Sequence, residues 1–358
     1  MKSIKQSGNF AVDNLVVVPA AKIGRNPAIE LYRVVLMFMI VFHHAGCLGY
    51  IKGRDADYPL LFFFFSTLVW HVDGFISITG WFGTRFSFSR FAKVWGTIAF
   101  YSIFSILFGF FAYGNHVCRY VAGGWFGRTY LYFLFLTPVL NAAIDNLAKC
   151  DKKRMFLVWA LLATAVVLTG LPYPLLCLTN VWPNQLWDYS IMTFILVYVN
   201  VRLLKVSGLY ERITKRHVLV ACVFFLAGVV LSKFNIMRSG YGSSQVMLMA
   251  VAGLVFFSKY VRVPGRIARV VMALSPLTFG IYILHETTVF GRLIYRIPQE
   301  KISDALGGGH PLLIIFVTAV FCFALCACID ALRRVIVSPL AKLILPHLAK
   351  IDKRVGLI

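Results

Sequence analysis

Residues 31–50, LYRVVLMFMIVFHHAGCLGY, decide the fold class of this chain. The stretch is almost wholly apolar and has about the 20 residues that a helix needs to cross the hydrocarbon core of a membrane. The whole chain of 358 residues follows the same trend, with 59% hydrophobic residues, 14% charged residues and a mean hydropathy of +0.78. Soluble domains carry about 25% charged residues. The sequence therefore predicts a polytopic membrane protein and excludes a disordered chain, a disulfide scaffold and a basic nucleic-acid-binding domain.

The same length rule predicts about ten transmembrane helices, and so an all-α integral membrane fold. The predicted spans are residues 31–50, 60–83, 91–113, 126–147, 155–171, 186–204, 217–233, 243–260, 270–292 and 311–332. We expect a cytoplasmic N-terminal tail over 1–24, a ten-helix membrane domain over 25–335 and a cytoplasmic C-terminal tail over 336–358.

The basic residues alternate in number from one predicted loop to the next. With the N-terminus placed in the cytoplasm, 27 of the 36 Lys and Arg residues fall in cytoplasmic segments and nine in outer ones. Cytoplasmic loops of membrane proteins carry such an excess of positive charge, so we expect both termini on that side. The bias accounts for most of the net charge of +22. We therefore expect membrane lipid, rather than nucleic acid, to face these loops.

The first predicted span carries a polar stripe. Arg33 and His44 are 11 residues apart, and eleven steps of about 100° bring them within about 20° of the same helix face, roughly 16 Å apart along the axis. Glu30 lies one turn before Arg33, whereas His43 points about 100° away from His44. In one interpretation His44 is a general base and Arg33 marks the cytoplasmic entrance. In the other, Glu30 and Arg33 anchor lipid headgroups and His44 only bonds a neighbouring helix. We favour the first, because ionisable residues at membrane depth are costly.

Other candidate residues follow from the same cost of polar groups in the membrane. Asp73 and His285 lie inside the second and ninth predicted spans, and Asp330 closes the tenth. Trp125 and Tyr130 fit the belt of aromatic residues that membrane proteins carry at the interface. Arg85, Arg90 and Lys93 form a basic cluster that plain topology explains equally well. None of the eight cysteines shows a metal-binding spacing, so we expect no metal. A Cys118–Cys177 disulfide stays open.

In order and spacing, these motifs resemble the acyltransferase 3 family of bacterial integral-membrane acyltransferases, from about residue 25 to 335. Arg33, ten residues and then His44 match the signature of the family's first span. Four further stretches are similar to family segments: HVDGFISITGWF (71–82), RFSFSRFAKVW (85–95), GGWFGRTYLYFLFLTPVLN (123–141) and SPLTFGIYILHE (275–286). Lys93 stands where the family often has Arg, and Asp330 where it often has Glu.

The resemblance implies an O-acyltransferase in the bacterial cytoplasmic membrane. Such an enzyme moves an acyl group, most often acetyl from acetyl-CoA, to a hydroxyl of a cell-envelope or exported saccharide. His44 and Arg33 would be catalytic, and His44 would either deprotonate the hydroxyl or first become acylated. The remaining roles would be distributed as donor binding by Arg90, Lys93 and Arg85, acceptor binding by Asp73, Trp125, Tyr130 and His285, and a supporting network through Glu30 and Asp330.

Two other classes of function fit a membrane bundle with buried His, Asp and Arg. One is a secondary transporter or a flippase of lipid-linked sugars. The sequence shows no obvious internal repeat and few matching Gly/Pro interruptions, which disfavours this class. The other is a non-catalytic assembly subunit, which would tolerate loss of His44. The acceptor, the acyl length and the oligomeric state do not follow from the sequence.

Overall fold

The computed structural model describes residues 25–51, 57–113, 124–168, 190–234, 236–237, 239–286 and 292–357. Within these ranges the chain forms α-helices with short 3-10 and π segments, and no strand occurs among them. The expectation of an all-α membrane protein is confirmed at this level. The predicted tail over 1–24 and both Cys118 and Cys177 lie outside the described residues.

The helices differ widely in length. In chain order they are α1 (Pro27–His44), α2 (Pro59–Ser66), α3 (His71–Phe82), α4 (Phe88–Tyr113), α5 (Gly124–Leu147), α6 (Lys152–Leu168), α7 (Ile191–Val206), α8 (Leu209–Arg212), α9 (Lys215–Ser232), α10 (Ser244–Tyr260), α11 (Gly265–Leu274), α12 (Thr278–Glu286), α13 (Ile297–Ala305) and α14 (Pro311–Arg354).

Six helical stretches in the described residues are long and apolar enough to cross a membrane. They are Pro27–Tyr50, Pro59–Phe82, Phe88–Phe111, Lys215–Ser232, Gly265–Glu286 and Pro311–Arg354, and Ser244–Tyr260 is a shorter apolar helix. Helices also lie at the other predicted positions, as α5, α6 and α7, but they do not meet both criteria. The count of ten spans and the cytoplasmic termini therefore stay predictions.

Apolar side chains cover the outside of the bundle. In α4, Phe111 is 82% exposed and Ile103 is 58% exposed, and α9 exposes Val220 in the same way. Large apolar side chains in contact with water would be costly, whereas lipid chains make the same contacts at no such cost. These surfaces therefore fit a protein that is surrounded by lipid.

Local sequence explains where α1 begins and how it ends. Asn26 caps its start, with the side-chain oxygen accepting a hydrogen bond of 2.9 Å from the backbone N–H of Ala28. Pro27 follows at the first helical position, where its missing N–H has no cost. After His44 the helix widens into a π-helical turn, Ala45–Tyr50. Such turns are rare and often occur at functional sites.

Two predicted spans are interrupted. The second is divided between α2 and α3, which are separated at residues 67–70. The ninth contains a 3-10 turn, Ser275–Leu277, between α11 and α12. Pro276 explains this interruption, because proline has no N–H to donate to the preceding turn. The interruption places α12 as a separate short helix that ends beside α1.

Helix α1 lies at the centre of the bundle, in contact with α3, α10, α11, α12 and α14. The glycines of α3 permit this packing. A Cβ atom added at Gly74 would come within 2.6–2.9 Å of Leu36 and Tyr32 of α1, closer than real Cβ contacts. The sequence motif of small residues in the second span therefore produces a close helix approach, as small residues do in membrane bundles.

Candidate active site

His44 faces His285 across the interface between α1 and α12. The Nδ1 atom of His44 lies 3.0 Å from Nε2 of His285, and the ring centroids are 5.1 Å apart. His285 is only 2% exposed, whereas His44 is partly exposed. The Nδ1 atom of His285 in turn lies 2.7 Å from the backbone oxygen of Ile281, one turn earlier in α12. The structure thus brings together the predicted catalytic histidine and one predicted substrate-side residue.

His43 has a different partner. Its Nδ1 atom lies 3.4 Å from Nε2 of His71, which is fully buried at the start of α3. Sequence periodicity predicts that His43 turns away from His44, and the second pair shows what it turns towards. The end of α1 therefore carries two imidazole pairs directed to different neighbours.

Aromatic rings join the two pairs into a closed circuit of contacts, with successive centroids 5.1–6.0 Å apart. The circuit runs through His44, His285, Tyr282, Phe126, Trp125, Tyr241, His71 and His43. These rings come from α1, α3, α5, α12 and the segment before α10. The histidine end of α1 is therefore surrounded by aromatic side chains from across the chain, Trp125 among them.

The other predicted substrate-side residues lie around this circuit. Asp73 is 1% exposed, and its carboxylate accepts a hydrogen bond of 3.4 Å from the backbone N–H of Gly242. That contact ties α3 to the segment that carries Tyr241. Tyr130 stacks on Phe126 at 5.9 Å. The structure thus gives Asp73 a supporting contact at the circuit, and places Tyr130 directly against one of its rings.

Arg33 and Glu30 lie at the opposite end of α1. Glu30 is 2% exposed, and its Oε2 atom lies 3.3 Å from Nε of Arg33 and 2.8 Å from an Nη atom of Arg25. Arg25 also donates a hydrogen bond of 3.1 Å to the hydroxyl of Ser275. These three charged residues line a cavity of about 340 Å³, together with residues of the interrupted ninth span. Sequence reasoning missed Arg25, which lies just before the first helix.

The predicted donor-binding cluster lies just before and at the start of α4, and none of its residues lines this cavity. Arg85 lies 3.3 Å from the carboxylate of Asp145 in α5, and both side chains are exposed. Arg90 and Lys93 are exposed on the first turns of α4. Arg90 and Lys93 thus form an exposed basic surface at the start of α4, whereas Arg85 is paired with Asp145.

Asp352 of α14 occupies the start of α4. Its carboxylate accepts hydrogen bonds from the backbone N–H groups of Phe88, at 2.6 Å, and Ser89, at 3.1 Å, and from the Ser89 hydroxyl. Ser87 accepts a further bond, 3.2 Å long, from the N–H of Arg90. The N–H groups of the first three residues of α4 are therefore satisfied by the chain itself.

Asp330 is the centre of a buried network. It is fully buried and accepts hydrogen bonds from the Tyr101 hydroxyl at 2.8 Å, from Nε of Arg333 at 2.7 Å and from Nε of Arg334 at 3.1 Å. Gly280 of α12 lies directly against its carboxylate. The network joins α4, α12 and α14 below the histidine pair.

The comparison with protein-family models complements this geometry. The model of an acyltransferase domain matches residues 26–333. The chain belongs to the acyltransferase 3 family. No curated protein and no solved structure matches it.

The chain is thus a membrane acyltransferase. In this acyltransferase 3 protein the pairing of His44 with His285 is set by packing between α1 and α12. Among the described residues, no group of three His, Cys, Asp or Glu side chains could hold a metal ion. The chemistry available at this end is that of paired imidazoles with aromatic neighbours.

Proposed function

We propose that this membrane acyltransferase moves an acyl group, in the first instance acetyl, from cytoplasmic acyl-CoA to a hydroxyl of a cell-envelope or exported saccharide in the bacterial cytoplasmic membrane. The His44–His285 pair carries the proposal, because an imidazole is suited to proton transfer near neutral pH. A saccharide would find the aromatic face of Trp125 in the ring circuit that contains this pair, and that of Tyr130 against Phe126 of the same circuit.

The donor is proposed to enter from the charged end of α1. Several phosphates accompany the acyl group of acyl-CoA, and arginine forks suit phosphate oxygens. Arg25 and Arg33 line the cavity there, and Arg90 and Lys93 add positive charge to the same end of the bundle. The pantetheine arm would then extend along α1 towards His44.

Transfer exchanges one bond for another. The acceptor oxygen bonds to the carbonyl carbon of the thioester, the C–S bond breaks, and the hydroxyl proton passes through His44 to the departing CoA sulfur. In a second route a nitrogen of His44 bonds to the carbonyl carbon of the thioester, and the C–S bond breaks to release the CoA thiolate. The acceptor oxygen then bonds to the same carbon, the C–N bond to the imidazole breaks, and the hydroxyl proton goes to the thiolate. Both routes need a nitrogen of His44 with a free lone pair.

A transfer assay tests the proposal. Membrane vesicles that contain the protein are incubated with acetyl-CoA labelled in the acetyl group, and the label is sought in alkali-labile esters of envelope saccharides. We expect labelled ester with the unaltered protein, and a loss of at least about 100-fold in His44→Ala, the size of a lost general base. A transporter or flippase would give no ester at all.

His43→Ala is the matched control, since it removes the adjacent imidazole from the same helix. Its partner is His71, so we expect a much smaller loss than in His44→Ala. Full activity in His44→Ala, at a normal protein level in the membrane, would contradict the proposed mechanism. Equal losses in the two variants would contradict the assignment of the base to His44.

A further inference from the structure

The hydrogen bonds at the end of α12 point to a specific role for His285. We propose that His285 is a positioning residue that fixes the tautomer of His44, so that Nδ1 of His44 carries the proton and Nε2 presents its lone pair to the reacting groups. The inference rests on the proposed function, and it replaces acceptor binding as the role of His285.

A backbone oxygen of α12 fixes the tautomer of His285. Nδ1 of His285 lies 2.7 Å from the carbonyl oxygen of Ile281. A carbonyl oxygen only accepts hydrogen bonds, so this nitrogen must carry a proton. In a neutral imidazole one nitrogen donates and the other accepts. Nε2 of neutral His285 is therefore an acceptor.

The tautomer of His285 then determines that of His44. Its Nδ1 atom is 3.0 Å from Nε2 of His285, a distance within the normal range for a hydrogen bond. Because Nε2 of His285 accepts, Nδ1 of His44 must donate. The remaining nitrogen of His44, Nε2, is then the one without a proton. The backbone carbonyl of Ile281, one turn before His285 in α12, thus determines which nitrogen of His44 is basic.

Packing holds the ring of His285 in this arrangement. Tyr282 and Tyr295 stand edge-on to the ring of His285, with centroids 5.8 Å and 6.2 Å away. His285 is 2% exposed, so it offers almost no surface to a saccharide. His44 is partly exposed, as a residue that meets substrate must be. Burial therefore separates the two roles: His285 orients, and His44 reacts.

The fixed tautomer has a chemical consequence for transfer. Nε2 of His44 accepts the hydroxyl proton as the C–O bond forms, and returns it to the CoA sulfur as the C–S bond breaks. During that step Nδ1–H of His44 stays bonded to His285, which stabilises the imidazolium as it forms. A histidine in the wrong tautomer would direct its N–H at the acceptor and could not take the proton. In a well-studied triad, the wrong tautomer lowers kcat by about 10⁴-fold.

Nitrogen NMR tests the tautomer without reference to activity. The protein, labelled with ¹⁵N in its eight histidines, is placed in lipid nanodiscs at a pH where the rings are neutral, and the His44 signals are assigned by their loss in His44→Ala. We expect a protonated Nδ1 and a bare Nε2 for His44. The opposite pattern, or an even mixture, would overturn the proposal. Since no acyl transfer is measured, this test stands even if the proposed function fails.

Steady-state kinetics of His285 variants test whether transfer depends on the hydrogen bond from His44 to His285. His285→Phe keeps a ring of similar size and removes the acceptor, so we expect kcat to fall by about 100-fold or more while KM for acetyl-CoA changes by no more than about threefold. In His285→Gln the amide oxygen takes the place of Nε2 and can accept from His44. We therefore expect the kcat of His285→Gln to be at least about tenfold higher than that of His285→Phe, because the hydrogen bond from His44 is retained.

His71→Phe is the control for loss of a buried imidazole. His71 is as buried as His285, but it bonds to His43 and not to His44. We expect a loss at least about tenfold smaller than in His285→Phe, because no bond to the base is removed. A His285→Gln variant as inactive as His285→Phe, or a His285→Phe variant with normal kcat, would overturn the role. If His285→Phe does not accumulate in the membrane, the NMR measurement on the unaltered protein decides.

Discussion

Adjacent histidines at the end of α1 have separate partners because the helix turns by about 100° between them. His44 meets His285 of α12, and His43 meets His71 of α3. One turn of helix therefore directs two imidazoles to two sides of the bundle. Through its partner, His44 is linked to the backbone carbonyl of Ile281, whereas Nδ1 of His71 has no hydrogen-bond partner among the described residues. This difference gives the two histidines different chemistry.

Asp352 is a second residue whose partners define its effect. Burial raises the pKa of its carboxyl group, but hydrogen bonds from Ser89 and Phe88, with the charge of Arg90, lower that pKa by more, so the net value lies below the ordinary one. A depressed folded-state pKa adds stability above the unfolded carboxyl pKa, and this stability is lost as the pH falls through the folded value. The contact between α14 and α4 should therefore weaken only in acid.

We expect Asp352→Asn to weaken the docking of the last turns of α14 by about 1–3 kcal/mol at neutral pH, because a charged acceptor of three hydrogen bonds is lost. Hydrogen exchange of residues 345–355 measures the effect. In the unaltered protein, this protection should decrease when the pH is lowered below the ordinary carboxyl pKa. In the variant, protection should be low at every pH. Asp151→Asn, at an exposed carboxylate beside Arg154, is the control and should leave these amides unchanged. Unchanged protection in Asp352→Asn would show that Asp352 does not hold the end of α14 against α4.

Sequence periodicity was sufficient to predict which side chains of one helix lie on the same face. It predicted the common face of Arg33 and His44, and Glu30 is indeed paired with Arg33 one turn away. Periodicity could not predict contacts between residues that are far apart in the sequence. His285 is 241 residues from His44, and Asp352 is 263 residues from Ser89, so both contacts depend on how helices pack.

At the level of the helices, α3 packs closely against its neighbours at its glycines. Gly80 lies against the backbone of α7: an added Cβ atom would be 2.7 Å from the carbonyl oxygen of Tyr198. A backbone atom cannot swing aside as the end of a side chain does. The separation between α3 and α7 therefore has no room for a methyl group.

We expect Gly80→Ala to destabilise the protein by about 1–3 kcal/mol, the usual cost of forcing extra volume into a packed interface. The midpoint of thermal unfolding in detergent measures the change. Gly96→Ala in α4 is the matched control, because an added Cβ there meets nothing within 4 Å. That substitution should be neutral or stabilise by about 0.5–1 kcal/mol, since alanine favours the helix. A Gly80→Ala variant as stable as Gly96→Ala would show that α3 and α7 can separate freely.

The sequence located helical segments better than their interruptions. Apolar length predicted helices in the positions of α1, α4 and α9, and these stretches meet the length and hydropathy of membrane spans. It did not predict the break at residues 67–70, which contain no proline or glycine. The interruption at Pro276 had a visible cause in the sequence. The extension of α14 to Arg354 was also missed, because the apolar run ends near residue 332.

On the scale of the whole molecule, α1 extends between a group of charged side chains and a group of histidines. Arg25, Glu30 and Arg33 stand at one end of α1, and the histidine pairs at the other. Asp330 holds α4, α12 and α14 together between these levels. The rise of one helix therefore sets the distance over which the proposed donor must act.

We expect the protein to use acetyl-CoA and to reject acetyl phosphate. Arg33 and His44 are about 16 Å apart along the helix, so a donor held by its phosphates near Arg33 needs a long arm to bring its carbonyl carbon to His44. Acetyl phosphate carries its acetyl group directly on the phosphate and cannot meet both residues. Its rate should be at least about 100-fold lower, because the reactants are not held in place. Comparable rates for the two donors would show that phosphate and acyl group are bound together near His44.

The π-helical turn after His44 makes the candidate active site sensitive to the number of residues, and not only to their identity. A π turn closes its hydrogen bond over five residues, as between Gly46 and Ile51, where an α turn closes over four. Deleting one residue there, such as the exposed Leu48, would let α1 continue as a regular helix. Every later side chain of that turn would then rotate by about 100° relative to His44. A single-residue deletion is thus expected to disturb this end of the bundle more than most substitutions in the same turn.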